Sequence, residues 1–192
     1  MNIITDSLPQ AVDVCGQNCR IRTDFKVWIN FTLIAFGNLG TVQKTMEIIK
    51  LLFVDMPPNL IKAVKAAMDF YNPYKENERK TADKKPVKVY DFDYDAHAIY
   101  AAFKQQYGID LRSTDMHWYE FRALLDNLTD DTRFVRSIGF RTMDLGEIKS
   151  DELKKYYTKM KQLHALPDNR SKEQKNADFS NAFFAAFVRK GK

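Results

Sequence analysis

A chain of 192 residues, 45% of them hydrophobic, can bury a sizeable core, which excludes a chain disordered by composition. Its 30 Lys and Arg stand against 25 Asp and Glu, so the net charge of +5 is dilute and does not by itself mark a nucleic-acid binder. Aromatic residues make up 13% against only 7 Gly and 6 Pro, a balance that favours a helix-rich fold over a turn-rich sandwich.

The opening residues hold no basic stretch followed by a long apolar run, so no secretory signal is expected and the chain is read as cytosolic. Residues 11–15 and 19–22 flank Gly16-Gln17-Asn18 and read as a β-hairpin with a three-residue turn, Cys15 and Cys19 at its neck. A CxxxC pair without a second ligand pair does not make a zinc site, and both thiols are expected to pack in the hairpin. Thr23 is placed to cap a helix that runs to Phe36, apolar on more than one side, with Gly37 and Gly40 ending it. The longest apolar run, 27–36, is roughly half of what a bilayer span needs, which excludes a membrane helix. A second helix is expected over 41–53 with Met46, Ile49 and Leu52-Phe53 on one face. Pro57-Pro58 then suits the first turn of a third, carrying Leu60, Ile61, Val64, Ala67, Met68 and Phe70-Tyr71.

Residues 1–72 are thus an N-terminal hairpin plus helices. Over 73–89 Lys75, Arg79, Lys80, Lys84, Lys85 and Lys88 outnumber Glu76, Glu78 and Asp83, and too few apolar residues are present to offset the entropy of ordering. That stretch reads as a basic linker.

Residues 90–168 form a domain centred on a helical hairpin. From Ala96 the positions Ile99, Tyr100, Phe103 and Tyr107 recur at steps of three and four, and Gly108 follows where a left-handed helix terminus is expected. A second helix begins near Asp115, with Trp118, Phe121, Leu125 and Leu128 in a stripe. Asp91, Asp93 and Asp95 alternate as in the opening of a calcium loop, but Ala96 and Ala102 stand where the glycine and the closing Glu belong. Asp95 is instead expected to cap the helix, with Asp91 and Asp93 adding charge near its positive end.

Thr129-Asp130-Asp131 can open a short helix that Gly139 stops, and 140–146 read as an irregular connector. Ser150-Asp151-Glu152 opens a further helix with Leu153, Tyr156, Met160 and Leu163 on one side and Lys154, Lys155, Lys159 and Lys161 on a wet basic flank. His164 suits a side chain at that helix's C-terminus, and His97 and His117 show no partner. Residues 169–192 form an amphipathic segment in which Phe179, Phe183 and Phe187 lie four residues apart. That segment can dock on the chain's own core, present an edge to a subunit or client, or touch an anionic membrane through Arg189, Lys190 and Lys192. The class is therefore mainly α.

Nucleotide-binding glycine motifs, GxSxG, HExxH and paired CxxC are all absent, so no catalytic residue, metal or cofactor is assigned and the chain is read as not an enzyme.

The combination Tyr90-Asp91-Phe92-Asp93-Tyr94-Asp95-Ala96, Ile99 to Phe103, Gln106 to Leu111, His117-Trp118 and Phe121-Arg122-Ala123-Leu124 resembles a known family. Tyr156 to Lys161 with Ala165-Leu166-Pro167, and Leu8-Pro9 with Thr23 to Ile29, extend the likeness to roughly 8–168. The family is that of Gp15-like proteins of long-tailed bacteriophages and prophages, encoded between the major tail protein and the tape-measure protein. The resemblance implies a non-catalytic tail assembly chaperone that coats the tape-measure protein in the host cytoplasm and is absent from the mature virion. Its client anchors would be Phe103, Trp118 and Phe121, or the edge formed by Phe179, Phe183 and Phe187. Self-association fits this reading, and neither nucleic acid nor membrane is expected as a partner. A basic nucleic-acid-binding or head–tail connector protein of the virion is the alternative.

Overall fold

The computed structural model describes residues 2–72 and 89–167. Within them the chain is mainly helical, with one small antiparallel hairpin. Strands β1 (Ala11–Val14) and β2 (Gln17–Arg20) pair with Val14 opposite Gln17, which leaves only Cys15 and Gly16 in the turn. Both have positive φ, 59° for Cys15 and 81° for Gly16, the conformation whose twist matches the flanking strands of a two-residue hairpin. The expected three-residue turn is corrected accordingly, since Gln17 and Asn18 already belong to β2. Cys15 is exposed at the tip and only Cys19 is buried.

Helix α1 (Phe25–Phe36) is capped by Asp24, whose carboxylate accepts from the Lys26 amide. Thr23, the expected cap, lies one residue too early and donates its hydroxyl to Gln10 instead. Helices α2 (Thr41–Leu52) and α3 (Leu60–Tyr71) follow, and Asn59, not the Pro57-Pro58 pair, starts α3. The end of α2 is fastened by Arg22, one of whose guanidinium nitrogens donates to the carbonyls of Lys50, Leu51 and Phe53 at 3.1, 2.9 and 3.1 Å. Those are carbonyls that a helix terminus leaves without partners, and a cation there also meets the negative end of the helix dipole.

The central hairpin consists of α4 (Ala96–Tyr107), closed by Gly108 at φ 68°, and α5 (Trp118–Asp126). His117 has partners after all. Its Nδ1 accepts from the Tyr119 amide while Glu120 accepts from the His117 amide, a reciprocal cap with an imidazole in place of the usual hydroxyl. With Nδ1 accepting, the ring proton sits on Nε2 and points to the Pro9 carbonyl at 3.0 Å.

Residues from both sides of 73–88 enter one buried cluster. Trp28 stacks on Trp118 with ring centroids 6.1 Å apart, and Phe25 stacks on Phe121 at 4.8 Å. Both indole N–H groups are satisfied, Trp28 donating to the Arg22 carbonyl and Trp118 to that of Tyr71. The Trp118 amide donates to the Thr23 carbonyl at 2.7 Å, which ties the start of α5 to the entrance of α1.

Helix α6 (Arg133–Thr142) is capped by Thr132 and continues through Gly139, so the expected stop there and the irregular connector from Phe140 are corrected. A glycine ends a helix where the backbone turns left-handed, and nothing at 139 requires that. Helix α7 (Asp151–Leu163) begins at Ser150 and ends at His164, as its residue pattern implies.

Asp95 makes no capping bond to α4. Its carboxylate lies in the interior and forms two 2.8 Å bonds with the guanidinium of Arg141 from α6, both side chains almost fully buried. A charge at that depth is strongly drawn to an opposite charge, whereas an amide at a helix start is also served by water. Arg141 further donates to the carbonyls of Val89 and His164, so one side chain gathers the chain entering α4, α6 and the end of α7. The neighbouring Asp91 accepts from the amides of Asp93 and Tyr94, a turn-forming use of its carboxylate.

Candidate partner-binding surface

The central aromatic residues that the resemblance offered as client anchors are interior. Phe103, Trp118 and Phe121 are each 0% exposed. Phe121 is sandwiched between Phe25 and Phe103, whose ring centroids lie 4.8 and 5.1 Å away. In this conformation they give a partner no surface, and their helical spacing reflects core packing. Phe179, Phe183 and Phe187 lie outside the described residues.

Apart from Ile3, Ile4 and Tyr94, the exposed large apolar side chains fall into three groups. The first is the end of the α1–α2 pair, where Leu33 and Phe36 lie in the last turns of α1, Leu39 in the connector, and Val42 and Met46 in the first turns of α2. Phe36 is 58% and Val42 80% exposed. Helical steps of three from Leu33 to Phe36 and four from Val42 to Met46 keep each pair on one face.

This end carries almost no charge. From residue 27 to 43 the sequence holds no Asp, Glu, Lys or Arg. The first cation after it, Lys44, is drawn inward and donates from Nζ to the Ala35 carbonyl at 3.1 Å, closing the C-terminal end of α1. Phe36 leans on Tyr71, their rings 6.3 Å apart, and Tyr71 stacks on Trp118, so the exposed tip is continuous with the core beneath it. Burial pushes the Tyr71 phenol up to about 12, and it stays neutral at any physiological pH. The surface is thus apolar, uncharged and backed by rigid aromatic packing.

The second group is on α7, where Leu153, Tyr156 and Leu163 are exposed and no residue of the helix is buried. Here Lys154, Lys155 and Lys159 lie on the flank beside the apolar row and line a shallow depression to which α7 alone contributes. The third, Val54, Met56 and Ile61, is interrupted by Asp55 and Lys62, and Asp55 pairs with Arg20 at 3.0 Å. Exposed apolar clusters free of charge are what partner-binding surfaces share, which places the α1–α2 tip first.

The tip was legible in two features of the sequence, a helix apolar on more than one side and an uncharged run longer than that helix. The aromatic stripe of α4 and α5 is the stronger pattern in the sequence, but it belongs to the core. Among the described residues no cluster of His, Cys, Asp or Glu is arranged to hold a metal ion, and no helix is long and apolar enough to cross a membrane.

The sequence profile of the family described as Bacteriophage Gp15 protein matches residues 4–166. Comparison with curated proteins and with solved structures gave no match.

Proposed function

The chain belongs to the bacteriophage Gp15 family, which makes it a phage structural or assembly protein, and from that premise we propose that it is a tail assembly chaperone for the tape-measure protein. The observation that carries this reading is the uncharged apolar tip formed by Leu33, Phe36, Leu39, Val42 and Met46. A tape-measure protein is a long helical client with repeated apolar faces, and a helix of that kind docks by laying a few anchor side chains into an apolar surface.

The tip is small, and that suits the task. Burying a side chain such as Phe36 or Val42 contributes about 1.5–3 kcal/mol, before the cost of association is subtracted. One copy therefore binds weakly, and retention on the client comes from many copies seated along its length. Coating of this kind is shed as tail-tube subunits cover the same faces, without nucleotide or catalysis. The protein acts in the host cytoplasm and leaves before the virion is complete.

Co-expression with the tape-measure protein of the same phage, followed by sizing in high salt, tests this. A soluble complex containing several copies of the chain per client is expected. An insoluble tape-measure protein with the chain eluting alone contradicts the reading, and recovery of the chain from purified virions would favour the connector alternative.

A further inference from the structure

We propose that two copies of the chain pair through α7, antiparallel, about a two-fold axis near Thr158. The pairing concerns the chain alone and stands whatever the client is.

Steps of three, four and three join Leu153, Tyr156, Met160 and Leu163, the spacing that makes a seam between two packed helices. Leu153, Tyr156 and Leu163 are each more than half exposed, and Met160 is half-buried. This row is not the side that α7 turns to α6. That side is marked by Tyr157 and His164, whose rings meet Phe140, and by Lys161, which donates to the Met143 carbonyl.

Charge decides which occupant fits the row. At about 100° per residue, Glu152 and Lys159 lie about 60° and 80° from its middle, both on the edge away from α6. Both are exposed, and no ion pair among the described residues uses either. The other charges of the helix, Asp151, Lys154, Lys155 and Lys161, lie about 120–160° away and point off the seam. When a second copy is laid antiparallel, Leu153 stands opposite Leu163 and Tyr156 opposite Met160. Glu152 of each copy then comes beside Lys159 of the other, so the seam gains two opposite-charge contacts and no like-charge one. A parallel pair would set Glu152 beside Tyr157 and Lys159 beside His164, joining no opposite charges, and would align the two helix dipoles.

Charges outside the helix do not oppose this arrangement. Arg133 on α6 reaches the His164 end of α7 with its charge, and that end meets the acidic first turn of the second copy. The connector before α7 carries Asp144, Glu147 and Lys149, one more acid than base, and lies at the same acidic end.

The contact is short. A helix of 13 residues is about 20 Å long, and two of them cover far less than the roughly 1,200–2,000 Å² of a stable complex. Half-pairing is therefore expected at about 0.1 mM chain. Client binding at the α1–α2 tip uses other residues and goes on without the pair.

Two full-length chains, both carrying Cys15→Ser, one with Leu153→Cys and the other with Leu163→Cys, test the arrangement when mixed at about 0.2 mM in a glutathione redox buffer. A disulfide joining one of each is expected. Either chain alone should link little, since each new thiol lies about 15 Å along the axis from its own counterpart. Equal self-linking by the Leu153→Cys chain, or no link in the mixture, would overturn the proposal. Sedimentation equilibrium at low salt supplies the second arm. Glu152→Lys should weaken pairing about tenfold, and Glu152→Lys with Lys159→Glu should restore it. A folded double variant that pairs no better than the single one would sink the proposal, as would a wild-type chain that stays monomeric at about 1 mM.

Discussion

Between β1 and α5, Trp28, Phe31, Phe103, Trp118 and Phe121 are all shut off from solvent, whereas α7 buries no residue at all. The first region is held by aromatic faces pressed together over many neighbours. The second is held by polar fasteners: Arg141 reaching the His164 carbonyl, Ser137 meeting His164 Nδ1 at 3.0 Å, Lys161 donating to Met143, and one stacked pair, Phe140 with His164. Dispersion and burial spread over a core fail only when the whole core opens, while a few directional contacts fail one at a time. The contrast implies that α7 comes away at lower cost than any other helix described, and that the tip of α1–α2 rests on the rigid part.

The largest break is expected in the aromatic region. Trp118→Ala removes a ring that contacts Trp28, Tyr71, Phe92 and Phe121, and should cost about 3–5 kcal/mol, measured as a lowered urea midpoint with loss of a single cooperative transition. Arg141→Ala leaves Asp95 buried without its partner and should cost about 3–5 kcal/mol as well. The two differ in their rescue. Replacing Asp95 and Arg141 together by Leu and Met should recover most of the stability, since a buried pair adds little over a well-packed apolar one. No second substitution of that kind restores Trp118.

Gly139→Ala probes the same helix from its exposed side. A Cβ at 139 meets nothing within 4 Å, so the change should stabilise α6 by about 0.5–1 kcal/mol through helix propensity alone. A loss of stability in thermal unfolding would show that α6 does not continue through this position.

The smallest effect is one of pH. Burial, then the guanidinium groups of Arg141 and Arg133, hold the His164 imidazole below its ordinary value of 6.5. The unfolded chain therefore takes up this proton first. Stability is full above 6.5, declines as pH falls below it, and levels off once the folded imidazole is also protonated. Compared between about pH 7 and pH 5, the wild type should lose more stability than His164→Gln. Exchange in α7 should report the loss before exchange in α1 does.

Sequence and structure agree where local rules decide. The steps of three and four set α1 to α5, Gly108 closes α4, and Ser150 opens α7, because periodicity and capping act within a few residues. Two of the differences come from contacts distant in sequence. Asp95 looks like a cap until Arg141, remote in sequence, is placed beside it. His117 gains its second partner from Pro9, 108 residues earlier in the chain. The turn at Cys15-Gly16 was hidden for another reason, since a cysteine rarely takes positive φ and gives no signal of it. The aromatic stripe of Trp118 and Phe121 was legible as a stripe, but spacing alone does not tell a face that packs inward from one that waits for a partner.

On the proposed function, the client binds the rigid, uncharged tip and not the loosely held α7. The most direct test is to co-express the tape-measure protein with two full-length variants, Phe36→Ser with Val42→Ser, and Leu153→Ser with Tyr156→Ser, and to size the soluble fractions. Both variants should fold with stability close to the wild type, since all four side chains are exposed. The first should lose the client and the second keep it. Retention of the client by the tip variant, or its loss only from the α7 variant, would contradict the account.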